Sequence, residues 1–224
     1  MTAMIGCDDD VDFVSAAKDF SRAQFAAFSA PYRSAIAKVE SMVTLLGDRL
    51  DDPRRGRPVE AVTSRVKSFD RIVDKAARIG CPLEPEAVGA AIRDIAGVRI
   101  VCGGVSDVYR LARHLGALPG LHVTEVEDYI ASPKPNGYRS FHVMGEVVVS
   151  VSRRIERVPI EIQLRTRAMD LWAGFDHRFV YRHRRSVPQR LARELAHAAE
   201  LAHRLDVTLE RLRHDLAGTR TADP

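Results

Sequence analysis

Apolar positions recur at helical spacing at both ends of this chain and at strand spacing in its middle. Phe13, Ala17, Phe20 and Ala27 lie near one face of a helix over residues 11–28. After Pro31 the pattern restarts, with Tyr32, Ile36, Val39, Val43 and Leu46 at steps of four and three, which predicts a second helix. Gly47 and the run Asp-Asp-Pro-Arg-Arg-Gly-Arg-Pro end it and form a linker. Residues 59–79 read as a third helix, interrupted around residues 64–68 and stopped by Gly80 and Pro82. Residues 98–102 form a short apolar run suited to a buried strand, closed by Gly103 and Gly104. A helix over 107–115 and a strand over 121–126 follow. Residues 139–150 and 158–164 then read as a long antiparallel hairpin, turning in the charged segment 152–157.

Residues 167–181 return to helical spacing, and Pro188 opens a last helix. There Leu191, Leu195, Ala198, Ala202, Leu205, Leu209, Leu212 and Leu216 keep a four-three rhythm for more than three heptads, a seam that needs a partner. The partner is either the first two helices of the same chain or another copy. The order α–α–α–β–α–β–β–β–α–α predicts an α+β fold, a mixed sheet covered by helices. It divides into an N-terminal helical arm (1–57), a central domain (58–184) and the heptad helix (185–224).

Composition narrows the class. With 224 residues the chain can bury one substantial core, and 46% hydrophobic with 29% charged residues describes a globular protein. No uncharged stretch approaches a bilayer span, and the start, with Asp8, Asp9 and Asp10, lacks a secretory signal's pattern. Three scattered cysteines, Cys7, Cys81 and Cys102, argue against a disulfide framework or a zinc site, and so for a reducing, cytoplasmic setting. The net charge of +4 favours anionic partners, nucleotides or RNA alike. It is uneven: residues 178–193 carry six arginines and a histidine and no acid.

Residues 134–142, Lys-Pro-Asn-Gly-Tyr-Arg-Ser-Phe-His, concentrate the candidate chemistry. Pro-Asn-Gly is a turn signal, because Pro fixes φ and Gly accepts a positive one. It delivers Tyr138 into a strand, with Ser140 and His142 following at period two on the same face. A ring, several cations and an imidazole at a sheet mouth suit a base and its phosphates. An ordinary hairpin entry with a half-buried Tyr is the alternative.

Read with Ser-Arg-Val-Lys at 64–67, Asp-Ile-Ala-Gly-Val-Arg-Ile-Val at 94–101 and Glu-Ile-Gln-Leu-Arg-Thr at 161–166, this run resembles the synthetase domain of the RelA/SpoT homologues. The likeness is greatest to their single-domain members, the small alarmone synthetases. It covers about residues 58–181 and rests on four motifs in order. It implies a nucleotidyltransferase-like sheet, transfer of pyrophosphate from ATP to the 3′-OH of GDP or GTP, and Mg²⁺ on Asp94 and Glu161. Asp94 is then the primary ligand, and Glu161 a second ligand or the base for the 3′-proton. Taken alone, Asp94 also reads as a turn residue and Glu161 as part of a solvated sheet face.

The resemblance further implies that Arg65 and Arg99 stack on adenine while Lys67, Lys75 and Arg78 hold phosphates. On the acceptor side Tyr138 stacks on guanine, Lys134, His142 and Arg165 carry phosphates, and Asn136 and Gln163 complete the subsite. Asp176 accepts from the guanine N–H groups. Solvated surface cations are the plainer account of the five basic residues. The family's tetramers would make the heptad helix an oligomer seam.

Three positions depart from the family pattern. Asp176 stands where Glu is usual, Arg71 where a Ser would touch phosphate, and Ala61 where one branch has Phe in an allosteric cleft. Product activation is therefore not expected. Nor is hydrolysis, since no chain is left for such a domain and His214-Asp215 reads as surface. Two further functions compete. One is pyrophosphate transfer to a tRNA 3′ end, kept open by the basic residues Arg182 to Arg185. The other is a nucleotide-binding module that has lost activity.

Overall fold

The computed structural model describes residues 22–52, 56–151, 153–180 and 187–219. Helix α1 (Arg22–Arg49) is continuous through Pro31. The restart expected there does not occur. Pro31 removes the N–H that would reach the Ala27 carbonyl, and next to it the Ala26 carbonyl gains two side-chain donors, Ser29 Oγ at 3.0 Å and Arg33 Nη2 at 2.9 Å. The earlier part of the expected first helix lies outside the described residues. Tyr32, Ala35, Ile36, Val39, Val43 and Leu46 form the buried stripe that the spacing predicts.

The third expected helix is half strand. Val59–Val66 is β1, an edge strand antiparallel to β2 (Ala96–Cys102). Only α2 (Phe69–Ile79) is helical there, stopped as expected by Gly80, whose left-handed backbone returns its N–H to α2 carbonyls. The misreading has a physical cause. Val59, Val62 and Val66 all pack on the core, at helix-like steps of three and four. A bulge between Val59 and Ala61 supplies the odd step, so a strand imitates a helix. A short helix not expected from the sequence, α3 (Pro85–Ala91), precedes β2.

Helix α4 (Val105–Leu115) and strands β3 (Leu121–Asp128), β4 (Phe141–Val151) and β5 (Arg154–Thr166) follow. Helix α5 (Arg167–Phe175) passes into a wider π-turn over Asp176–Val180, and α6 (Gln189–Thr219) closes the described chain. The five strands lie in the order β1-β2-β5-β4-β3, with β2 and β5 parallel and every other pair antiparallel. This is the mixed sheet of an α+β fold.

Strand alternation gives the sheet two unlike faces. Val98, Ile100, Ile160, Ile162 and Leu164 turn inward to meet α1 and α4 in one core with Val39, Val43, Val108 and Leu111. Burying each such side chain is worth about 1.5–3 kcal/mol. The alternate positions turn the other way, and register aligns them across four strands. Thr63 faces Arg99 and Arg65 faces Gly97; Gly97 pairs with Glu161 and Arg99 with Gln163; Glu161 and Gln163 pair in turn with Met144 and His142. The sheet thus offers one polar face.

Candidate active site

On that face a cavity of about 150 Å³ is lined by Arg65, Asp94, Gly97, Arg99, Glu161 and Gln163, among others. Gly97 lies in its centre, where a Cβ would meet nothing nearer than the Arg65 carbonyl at 3.9 Å. Packing does not demand glycine there; its missing side chain leaves the room. A larger hollow of about 960 Å³ between α5 and α6 is lined almost wholly by apolar side chains and does not bring these groups together.

Asp94 sits in the turn before β2. Lys67 Nζ donates to one carboxylate oxygen at 2.5 Å and Lys75 Nζ to the other at 2.6 Å. Lys67 leaves β1 with its N–H on the Ile95 carbonyl at 2.7 Å, so strand pairing itself aims the ammonium at Asp94. Burial works to raise the Asp94 pKa, and the two ammoniums outweigh it, holding the carboxyl below its ordinary range. Burial pushes Lys67 down, partly opposed by Asp94.

Glu161 is held from the other side. Burial again works upward on its pKa, and the contact with His142, whose Nδ1 lies 3.1 Å away, brings it below the ordinary value. The hydrogen bonds beyond hold the ring in place. The ionised Glu161 carboxylate can only accept, so His142 Nδ1 carries a proton toward it. Arg165 Nη2 can only donate, so the Tyr138 hydroxyl accepts from it at 2.6 Å and meets His142 Nε2 at 2.8 Å. A hydrogen-bonded chain runs from Arg165 through Tyr138 and His142 to Glu161.

Arg165 is itself buried and occupied. It donates to Gln163 Oε1 at 2.8 Å, Asp170 Oδ1 at 3.1 Å and Ser140 Oγ at 3.3 Å, with its guanidinium 5.2 Å over the Tyr138 ring. It therefore braces the subsite from behind. Asp170, on α5, also lies 3.4 Å from Arg99. Arg99 keeps its Nε buried with no partner among the described residues. Arg65 is exposed at the cavity rim, and Arg78 is exposed on α2 one turn beyond Lys75.

The turn at 134–138 is closed by Gly137 N–H to the Lys134 carbonyl at 2.8 Å, with Gly137 at φ +88°. Asn136 works inside it, its side-chain oxygen accepting from Tyr138 N–H at 3.2 Å. Lys134 Nζ stands 4.1 Å over the Tyr129 ring and 5.4 Å from that of Tyr138. Tyr138 is thus half-buried among Tyr129, His142 and Trp172, with centroids 5.8–6.4 Å away. Asp176 begins the π-turn at the far end of α5. Its neighbour His177 accepts from Arg71 Nη1 at 3.1 Å, so the departure at 71 ties α2 to this turn.

Sequence reasoning did not single out Gly97, Tyr129 or Asp170. Gly97 carried a signal in hindsight, a glycine between two strand hydrophobics. Tyr129 and Asp170 reach the site only through β3–β4 pairing and the α5 N-terminus.

Comparison with known proteins places this geometry. The model for the region found in RelA and SpoT proteins matches residues 64–186. The chain is 41% identical over 175 residues to the GTP pyrophosphokinase YwaC of Bacillus subtilis, covering 78% of this chain and 83% of that protein. Among solved structures, small alarmone synthetase 2 of B. subtilis superposes with a TM-score of 0.74 at 39% identity, covering 82% and 96% of the two chains. Small alarmone synthetase 1 of the same organism, bound to its product pppGpp, gives 0.77 at 33% identity, covering 86% and 97%.

Proposed function

The chain belongs to the RelA/SpoT family, and on that membership we propose that it is a GTP/GDP pyrophosphokinase of the small alarmone synthetase type, making ppGpp or pppGpp. The acceptor 3′-oxygen attacks the β-phosphorus of ATP, forming a 3′-O–Pβ bond while the Pα–O–Pβ bridge breaks and AMP leaves. The 3′-proton passes to the Glu161 carboxylate, kept ionised and oriented by the Nδ1–H of His142. Arg65 and Arg99 take the adenine, and Lys67, Lys75 and Arg78 the donor phosphates. Tyr138 and Lys134 receive the acceptor.

Asp94 and Glu161, two ionised carboxylates on one cavity, fit Mg²⁺, which when bound supplies charge against the triphosphate. Asp94 already gathers two cations. Two carboxylates are a donor set better matched to a hydrated hard cation than to zinc.

One observation carries the reading. The shared polar face sets the two carboxylates between a basic end and an aromatic end, so donor and acceptor would meet over them. We further propose synthesis without hydrolysis, His214 and Asp215 being exposed on α6, and a homo-oligomer built on the exposed leucines of that helix. Among the described residues no helix is long and apolar enough to cross a membrane, in keeping with the proposed cytoplasmic setting.

The test uses purified protein, Mg²⁺ and ATP labelled in its β-phosphate, offered GDP, GTP, GMP, ADP or bulk tRNA, with ppGpp alone as a hydrolysis control. Label on GDP or GTP is expected, together with its loss in Asp94→Asn and Glu161→Gln. Label on tRNA only would establish the competing transferase reading. No label anywhere would leave a binding module.

A further inference from the structure

We propose that helix α6 is a positioning element for the acceptor subsite, with Ala199 and Asp206 as its two points of action; the identity of the acceptor rests on the reading above. Four independent contacts carry this. The first is steric. Gly137, in the turn that presents Tyr138, comes so close to α6 that an added Cβ would lie 2.5 Å from the Cβ of Ala199. Gly137 thus answers two demands, the positive φ of its turn and the approach of a helix backbone.

The second contact is buried and polar. Thr166 Oγ1 donates to Asp206 Oδ2 at 2.7 Å, both residues being buried. Thr166 directly follows Arg165, and its hydroxyl oxygen also accepts from Met169 N–H at 3.2 Å to cap α5. One carboxylate on α6 therefore fixes the residue after Arg165 and the start of the helix carrying Asp170 and Trp172.

The third contact joins α5 to α6, with Trp172 Nε1 donating to the Leu195 carbonyl at 3.0 Å. The fourth lies further along α6. Glu210 accepts from Ser106 N–H at 3.2 Å, while Arg213 donates to Asp107 at 2.5 Å and Ser106 Oγ at 3.0 Å. The docked positions 195, 199, 202, 206, 210 and 213 follow helical spacing, so one face of α6 backs the subsite and stitches it to α4. No residue of this face lines the cavity holding Asp94 and Glu161. Asp170, 3.4 Å from Arg99, links this face to the donor side at one point, so its influence should fall chiefly on the acceptor.

Trp172, the single tryptophan, lies 6.4 Å from the Tyr138 ring and reports from inside the contact. The full chain is titrated with GDP by Trp172 fluorescence, and the KM values for GDP and ATP are measured separately. Asp206→Ala and Ala199→Leu are expected to weaken GDP binding and raise its KM by about tenfold or more, with the KM for ATP within about twofold. Asp206→Asn, which keeps an acceptor oxygen for Thr166, should recover most of the loss. If Ala199→Leu does not fold, Asp206→Ala with a near-normal melting curve decides the matter. Unchanged GDP binding, equal losses for GDP and ATP, or no recovery in Asp206→Asn would each overturn the proposal. Should the wild type bind GDP yet form no product, the functional reading falls, while the Trp172 titration still judges this one.

Discussion

At the scale of single residues the decisive arrangement is the chain Arg165–Tyr138–His142–Glu161, because it gives the Tyr138 hydroxyl a task that stacking does not need. A ring alone would serve as a platform, since every base offers a π-face. Here the hydroxyl also hydrogen-bonds His142 Nε2 at 2.8 Å and so holds the ring whose Nδ1 faces Glu161. Tyr138→Phe should therefore keep the acceptor KM within about threefold while kcat falls by about tenfold or more, the size of one lost orienting bond. Tyr138→Ala should raise that KM as well. Steady-state kinetics on both variants check this, and an unimpaired kcat in Tyr138→Phe would break the chain.

Asp94 adds a prediction about stability rather than rate. Its folded pKa lies below the ordinary value of 3.8, so the contribution of its lysine pairs is complete above that value and is lost as pH falls through the depressed one. Asp94→Asn should cost about 1–3 kcal/mol at neutral pH, because Lys67 is then buried with a weaker partner. The gap between variant and wild type should narrow as pH falls below about 4. Urea melts without added metal at pH 7 and pH 3 measure it. A gap of equal size at both would mean that the pairs add nothing to the fold.

At the scale of elements, the sequence was legible wherever burial and spacing agreed. The stripe on α1, the strand at β2, the β4–β5 hairpin and the Gly80 stop all follow from local pattern. Legibility failed where a tertiary event reset the period. The bulge in β1 made three valines look helical, and beyond Leu195 α6 docks through small and polar side chains while its later leucines stay exposed. Close approach needs Ala199 and Ala202, and a helix end such as Ser106 wants a carboxylate, demands that a hydrophobicity pattern does not display. The two cavity carboxylates could be named from motifs, but Asp170 and Tyr129 could not, because only strand register and a helix start bring them in.

Pro31 was read as a boundary for a sound local reason, and its position inside α1 carries a cost. A proline in a helix interior is roughly 3 kcal/mol worse than alanine before compensation. Ser29 and Arg33 brace the same turn by donating to the neighbouring Ala26 carbonyl, while the Ala27 carbonyl is the one that loses its helical donor. Pro31→Ala should raise stability by about 1–3 kcal/mol, seen as a higher Tm with unchanged far-ultraviolet helicity. A lower Tm would mean that the ring's own packing outweighs the restored hydrogen bond.

At the scale of the whole molecule, docking α6 by its polar face turns its leucines outward. Leu201, Leu205, Leu209, Leu212 and Leu216 are each about half exposed or more, and Leu171 on α5 is 78% exposed. With Phe175 and Phe179 they border the 960 Å³ hollow or continue its line along α6. An apolar surface of this extent favours association with a second surface. In the isolated chain, Leu205→Lys with Leu209→Lys alters exposed positions and should move stability by only about 0.5 kcal/mol for each. If a second copy covers the seam, the same change would bury two ammoniums in an apolar contact, and the assembly should fall apart. Light scattering is then expected to report a smaller mass at an unchanged monomer fold. Because the seam and the face behind Tyr138 belong to one helix, the KM for GDP should rise in the dissociated variant while that for ATP holds. A mass equal to the wild type's would place the oligomer contact elsewhere, and a smaller mass with unaltered GDP kinetics would separate assembly from the acceptor site.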